Sequence, residues 1–178
     1  MLATANASTP PGWSYNPSSW SERLPLVGLA LAGFAIAISL TYFQVGIIHA
    51  LWDPFFGGAS SARVTSSPVS RLLPIPDASL GALGYAADAI LGSIGGPDRW
   101  RRMPWVVLLF SLAILGLGVV STVLLITQGV VMQAWCTLCL CSAAISITIL
   151  ARGIGEALAA LQHLKRASRA GQSLWRAL

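Results

Sequence analysis

This chain has little charge. Asp, Glu, Lys and Arg make up 10% of its 178 residues, where an average soluble chain carries about 25%. With 55% hydrophobic residues and a mean hydropathy of +0.71, that shortage excludes an ordinary water-soluble domain. Cysteine and histidine are also scarce, at three and two. A structural zinc site wants four ligands, and three Cys with two distant His do not suit one. Leu140 stands where haem attachment needs a His after the second Cys. No cysteine precedes Cys136. No basic segment precedes the first apolar run, and that run is too long for the core of a cleaved signal peptide. Residues 1–23, rich in Ser, Pro, Asn and Ala, therefore read as a flexible tail entering an uncleaved span, with Trp13 and Trp20 suited to a membrane interface.

What the chain does have is apolar length. Runs at 24–50, 78–95, 104–128 and 131–151 each approach or exceed the roughly 20 residues that cross a bilayer as a helix. The expected fold is all-α: a polytopic four-transmembrane-helix bundle with a long outer loop between helices 1 and 2. Residues 24–151 form the membrane domain, and 152–178 a basic segment. Ile154, Leu158 and Leu161 give that segment an amphipathic stripe, suited to the inner membrane surface or to a partner helix. Nine basic residues fall on one side of the four-span arrangement: Arg23, Arg99, Arg101, Arg102, Arg152, Lys165, Arg166, Arg169 and Arg176. The opposite loop holds only Arg63 and Arg71. The positive-inside rule then puts both termini in the cytoplasm, and the end of the bundle holding residue 136 on the outer side, where disulfides persist. The basic pI of about 9.7 is accounted for by topology and needs no nucleic acid.

Chemistry is concentrated at 135–141, W-C-T-L-C-L-C. Cys136 and Cys139 form a C-x-x-C pair opening the last apolar run. At a helix N-terminus the free N–H groups and the positive dipole end favour a thiolate. The i, i+3 spacing puts both sulfurs on one face, within disulfide reach. The same cysteines also fit as small core hydrophobes. Cys141 points about 140° away from Cys136, at roughly 100° per residue. Trp135 suits either a wall of the site or an interfacial anchor.

Polar residues in the spans supply further candidates. Gln44 is expected to face other helices. His49 reads as an interfacial residue bonded to a carbonyl, or as a proton-transfer group near a redox site. The loop after the first span is long enough to suggest function, and a cap over the outer end suits its aromatics, hydroxyls and prolines. Ser67, Pro68 and the residues to 73 suggest a short helix there, and Asp77 an N-cap for the second span. Tyr85 and Asp88 share one helix face, and an acid inside a span is a functional candidate by default. The alternative has Asp88 bonded to Tyr85 or another helix, or reaching the Arg cluster.

Four spans, a long loop after the first, and a C-x-x-C opening the last resemble the vitamin K epoxide reductase family. The segments V-T-S-S at 64–67, L-P-I-P at 73–76 and L-G-A-L-G-Y at 80–85 resemble that family's loop serine, its approach to the second span and the span itself. The resemblance covers about 24–151. It implies a four-helix bundle enclosing a quinone of the menaquinone or ubiquinone type. Cys139 then faces the quinone, Cys136 exchanges with other thiols, and Ser67 lies near the active site. By side-chain chemistry, Ser67, His49 or Gln44 suits a bond to the quinone oxygens, and Trp135 a wall of the site. Similar bacterial proteins sit in the plasma membrane and re-oxidise thioredoxin-like proteins. One departure stands out. The family usually carries a second cysteine pair in the outer loop, and those positions hold Trp52 (or a neighbour) and Ser61. Two function classes follow. One is a quinone-linked thiol oxidoreductase attacked directly by a partner thiol, or served by a periplasmic thioredoxin-like protein or subunit that supplies the missing pair. The other is a catalytically degenerate subunit with a structural or quinone-binding role.

Overall fold

The computed structural model of the chain describes residues 9–67 and 75–171, and among these no strand occurs. Helix α1 spans Trp20–Gln44, α2 Gly58–Thr65, α3 Asp77–Ser93, α4 Arg99–Arg102, α5 Pro104–Thr127 and α6 Thr137–Arg169, with a π turn at Gln128–Met132 after α5. Three of these are long and apolar enough to cross a membrane: α1, α5 with its π turn, and α6. The 17 residues of α3 reach about 25 Å at 1.5 Å per residue, a little short of the ~30 Å hydrocarbon core.

Helix α1 packs against α3 and α6, and α5 against α6 and α3, so the four long helices close into a ring. Leu26, Ala30, Tyr85, Phe110, Ile114 and Ile149 meet at its centre. Small residues set the spacing. The Tyr85 ring occupies the place of a Cβ on Gly33, and Leu150 and Ile114 press on Gly118 and Gly153 in the same way. Apolar surface gains little by moving from lipid to a helix interface, so close approach and dispersion must hold the ring.

The end away from the cysteines is stapled by two guanidiniums, Arg23 and Arg99, each 1% exposed. Arg23 donates to the carbonyls of Gly92 (2.5 Å), Ile94 (2.7 Å) and Gly95 (2.7 Å). Arg99 donates to Leu91 and Ile94 carbonyls at 2.6 and 2.8 Å and makes a two-pronged pair with Glu156, both contacts at 2.5 Å. Leu91 and Gly92, among the carbonyls that the end of α3 leaves without intrahelical partners, are thereby satisfied. Residues 9–19 lie back along α6: Trp13 Nε1 donates to Gln162 Oε1 at 2.9 Å, and Ser18 Oγ to Glu156 Oε1 at 2.5 Å.

Several boundaries differ from the sequence reading. The first apolar run continues to Ala50, but α1 stops at Gln44 because Gly46 takes φ +79° and the Ile47 N–H turns back to the Tyr42 carbonyl at 2.9 Å. The short loop helix is α2, ahead of the expected position, and residues 68–74 lie outside the described residues. The last helix starts at Thr137 rather than 131, because the π turn and a left-handed Gln133 (φ 48°) come first. It then passes residue 152 without a break. Pro76, not Asp77, is the N-cap of α3. Asp77 is its first residue, and its Oδ1 accepts the Ala78 N–H at 2.8 Å.

Candidate redox site and the adjoining cavity

Cys136 is the N-cap of α6. Its backbone is extended, and its sulfur accepts the Cys139 N–H at 3.4 Å. The sulfur thus fills the role that a Ser or Asp oxygen usually takes at this position, where the positive helix end favours negative charge. Both cysteines are free thiols. Cys136 is 0% exposed, whereas Cys139 is half-buried.

The cover over Cys136 is gathered by Asp53. Its carboxylate takes five donors: the N–H groups of Phe55 (3.1 Å), Phe56 (2.8 Å) and Thr137 (3.0 Å), Thr137 Oγ1 (2.5 Å) and the Ser61 hydroxyl. One side chain therefore ties the loop turn, α2 and the first residue of α6. Burial pushes this carboxyl up. The Ser61 and Thr137 hydroxyls, with the Thr137 and Phe56 N–H groups, outweigh burial and hold it well below the usual carboxylate range. A second tie adjoins it, since Ser60 Oγ donates to the Trp135 carbonyl at 2.7 Å and accepts the Trp135 N–H at 3.1 Å.

These contacts set the acidity of Cys136. The Cys139 thiol draws it down, burial pushes it back up, and the Ser61 hydroxyl and Cys139 N–H draw it down again. The Asp53 charge opposes them, and the result is a thiol lowered from 9.0 to about 6. The buried Ser61 hydroxyl donates its proton to the Asp53 carboxylate.

Beyond Cys139 lies a cavity of about 510 Å³, walled mostly by Leu, Ala, Gly, Val and Met. Its polar groups are few: Gln44, Thr65, Asp77, Tyr85, Ser121, Gln128 and Ser142, with Cys139 itself in the wall. Gln44 Nε2 donates to Asp77 Oδ1 at 2.5 Å and to the Thr65 carbonyl at 3.2 Å. Gln128 Oε1 accepts the Cys136 N–H at 3.4 Å, so the π turn helps to hold the cysteine. Tyr85 Oη bonds Ser142 Oγ at 2.8 Å and Ser146 Oγ at 2.7 Å.

Of the residues singled out from sequence, Cys139, Gln44 and Tyr85 meet at this cavity, with Cys136 immediately behind. Ser67 is buried just past α2, its N–H donating to the Val64 carbonyl at 3.3 Å. His49 lies outside the span in which it was expected, exposed in the connection after α1. Trp135 packs against Phe56, ring centroids 6.4 Å apart, as part of the cover rather than of the cavity wall. Asp88 is buried one turn below Tyr85, and the Tyr85 hydroxyl bonds to α6 instead of to Asp88. Asp53, Thr137, Gln128 and Ser142 are the residues that sequence reasoning missed. Only Asp53 carried a local signal, the Asp-Pro step that initiates turns. Among the described residues no three His, Cys, Asp or Glu side chains are grouped to hold a metal ion.

An apolar helical bundle with a dithiol at the head of one helix and a mostly apolar cavity against its second sulfur is the architecture of a membrane-embedded thiol protein. Residues 24–153 match the vitamin K epoxide reductase family, and the chain belongs to it. No individual curated protein matches the chain.

Proposed function

We propose that this protein is a membrane thiol–disulfide oxidoreductase that passes electrons between thiols and a quinone through Cys136 and Cys139. The observation that carries this reading is the pair's position: Cys139 lines an apolar cavity while Cys136, drawn toward the thiolate, bonds it from behind. The cavity's character fits a flat ring of the menaquinone or ubiquinone type, because ligand sites combine apolar walls with a few placed polar groups. Gln44, Asp77, Gln128 and Tyr85 would hold such a ring.

A bound quinone supplies a two-electron, two-proton acceptor. The chain's own residues do the rest. A donor thiolate attacks one sulfur of the Cys136–Cys139 disulfide and the other sulfur leaves. The donor's second thiol then displaces the mixed disulfide, leaving the donor oxidised and the pair reduced. Gln128 and the Cys139 N–H fix Cys136, and the apolar wall keeps water from Cys139. The donor is a thioredoxin-like periplasmic protein, or a subunit carrying the shuttle cysteines that this loop lacks. In this reading α3 is a fourth span, both termini are cytoplasmic, and the cysteines face outward from a bacterial plasma membrane.

The test is quinol formation by purified protein given dithiothreitol and a short-chain ubiquinone, repeated with Cys139→Ala. Wild-type turnover that the substitution abolishes supports the reading. A second reading, a catalytically degenerate subunit, is favoured by the complete burial of Cys136 and the absence of loop cysteines. No turnover and no reducible disulfide in the wild type would establish that one instead.

A further inference from the structure

The redox reading leaves one proton to be found. Closing the Cys136–Cys139 disulfide releases two electrons. When Cys136 starts as the thiolate, it releases a single proton, from Cys139. A two-electron, two-proton acceptor in the cavity is then one proton short.

Asp88 is 1% exposed, and neither of its carboxyl oxygens has a hydrogen-bond partner. The other buried acid among the described residues, Glu156, is held by Arg99. Among the described residues no counter-ion serves Asp88. Arg23 on α1 and Arg99 on α4 are engaged with the carbonyls of residues 91–95, Glu156 on α6 is taken by Arg99, and α5 brings Phe110 and Ile114 to the core. An ionised carboxylate without donors is poorly tolerated in such a core, whereas the neutral acid brings its own hydrogen. An unsatisfied polar group of this kind in a folded core calls for an explanation.

Its neighbour supplies one. Tyr85 lies three residues earlier on the same face of α3 and lines the cavity. Tyr85 Oη donates to the Ser142 carbonyl at 2.7 Å and adjoins a run of hydroxyls across the bundle: Ser142 Oγ at 2.8 Å, Ser146 Oγ at 2.7 Å, and Ser121 Oγ, which donates to Ser146 Oγ at 3.0 Å. Tyr85, Ser142 and Ser121 all line the cavity.

We propose that Asp88 is the site's proton store, passing its carboxyl hydrogen toward Tyr85 Oη through a bridging water as the disulfide closes and taking one back from water afterwards. The count then closes. Cys139 supplies one proton and Asp88 the other, the sulfur pair loses two electrons, and the cavity acceptor gains two of each. Asp88 acts through Tyr85 and is a relay residue, not one that touches the reacting atoms. The proposal rests on the quinone-linked reading above, and its test separates the two.

The full chain in detergent is compared as wild type, Asp88→Asn, Asp88→Glu and Tyr85→Phe. Infrared spectra without quinone, at neutral pH, should show a carboxylic-acid C=O band that Asp88→Asn removes and Asp88→Glu shifts. With dithiothreitol and a short-chain ubiquinone, Asp88→Asn and Tyr85→Phe should each form quinol at least ~100-fold more slowly, the lower range of general-acid effects. Asp88→Glu should keep most of the rate, and thiol trapping should find Cys136 and Cys139 as reducible as in wild type in every variant. Tyr85→Phe keeps the test open if Asp88→Asn does not fold. Absence of the Asp88 band, or unchanged rates and pH profiles in both slow variants, overturns the proton store while leaving quinone reduction in place. Absence of quinol formation by the wild type itself overturns the quinone-linked reading.

Discussion

At the mouth of the bundle a carboxylate, Asp53, takes the Thr137 N–H that opens α6, whereas at the far end Arg23 and Arg99 donate to the carbonyls that close α3. Each charge has the sign that the helix dipole asks for. The two ends differ in what surrounds the charge. The guanidiniums are fully buried, and Glu156 locks one of them in a two-pronged pair. Asp53 is half-buried, held by a loop turn and hydroxyls, with the exposed aromatics Trp52 and Phe55 beside it. The far end is built to stay shut. The mouth is fastened by contacts that water can replace, which suits the proposed entry of a donor.

That contrast can be broken most severely at the far end. Glu156→Ala strands Arg99 in the core and should cost about 3–5 kcal/mol, read as a fall in thermal unfolding midpoint in detergent. Replacing both partners with Leu should recover most of the loss, because the strandedness rather than the missing pair carries the cost. At the mouth, Asp53→Ala removes an ionised acceptor from five donors and should cost about 2 kcal/mol, in line with charged hydrogen bonds. Its clearer signature is faster alkylation of Cys136 by iodoacetamide. An unchanged rate would mean that Asp53 does not fasten the cover.

Ser61→Ala sharpens the comparison at one atom. The folded Cys136 thiol loses its proton near pH 6, and an unperturbed one near 9.0. The folded-state value is the depressed one, so the thiolate's contribution to stability is complete above about 9 and is lost as pH falls through about 6. The reduced wild type should therefore gain stability relative to Cys136→Ser across that window. Removing the Ser61 hydroxyl should move the midpoint of thiolate absorbance upward and shrink the gain. Cys141→Ala should have the smallest effect, within ~0.5 kcal/mol and with no change in thiol trapping of the pair, because Cys141 is exposed on the outer face of α6.

Much of this was legible in the residues. Pro104 begins α5 at the position where its missing N–H does no harm, and the C-x-x-C does open the last helix. Other features follow from contacts that no local window contains. Asp53 meets Thr137 across 84 residues, and Arg99 meets Glu156 across 57. Arg23 and Arg99 were legible as topology signals, but not as staples, because charge counting ignores burial. Apolarity carried the first span past Gln44, through Val45, Ile47 and Ile48. Gly46 was the stop signal, and it was outweighed by its neighbours. Helix α2 is made largely of Gly, Ala and Ser, and offers almost no hydrophobic pattern by which to place it. The π turn has no sequence signature, yet it brings Gln128 to Cys136.

The complete burial of Cys136 has a chemical side effect. A low-pKa thiolate is the form that peroxide converts to sulfenic and then irreversibly to sulfinic acid, and exposure governs how quickly that happens. A sulfur with no accessible surface, beneath Ser61 and an acid that also repels anionic oxidants, keeps its nucleophilic character while being sheltered from overoxidation. The fastening over it thus works as a preservative.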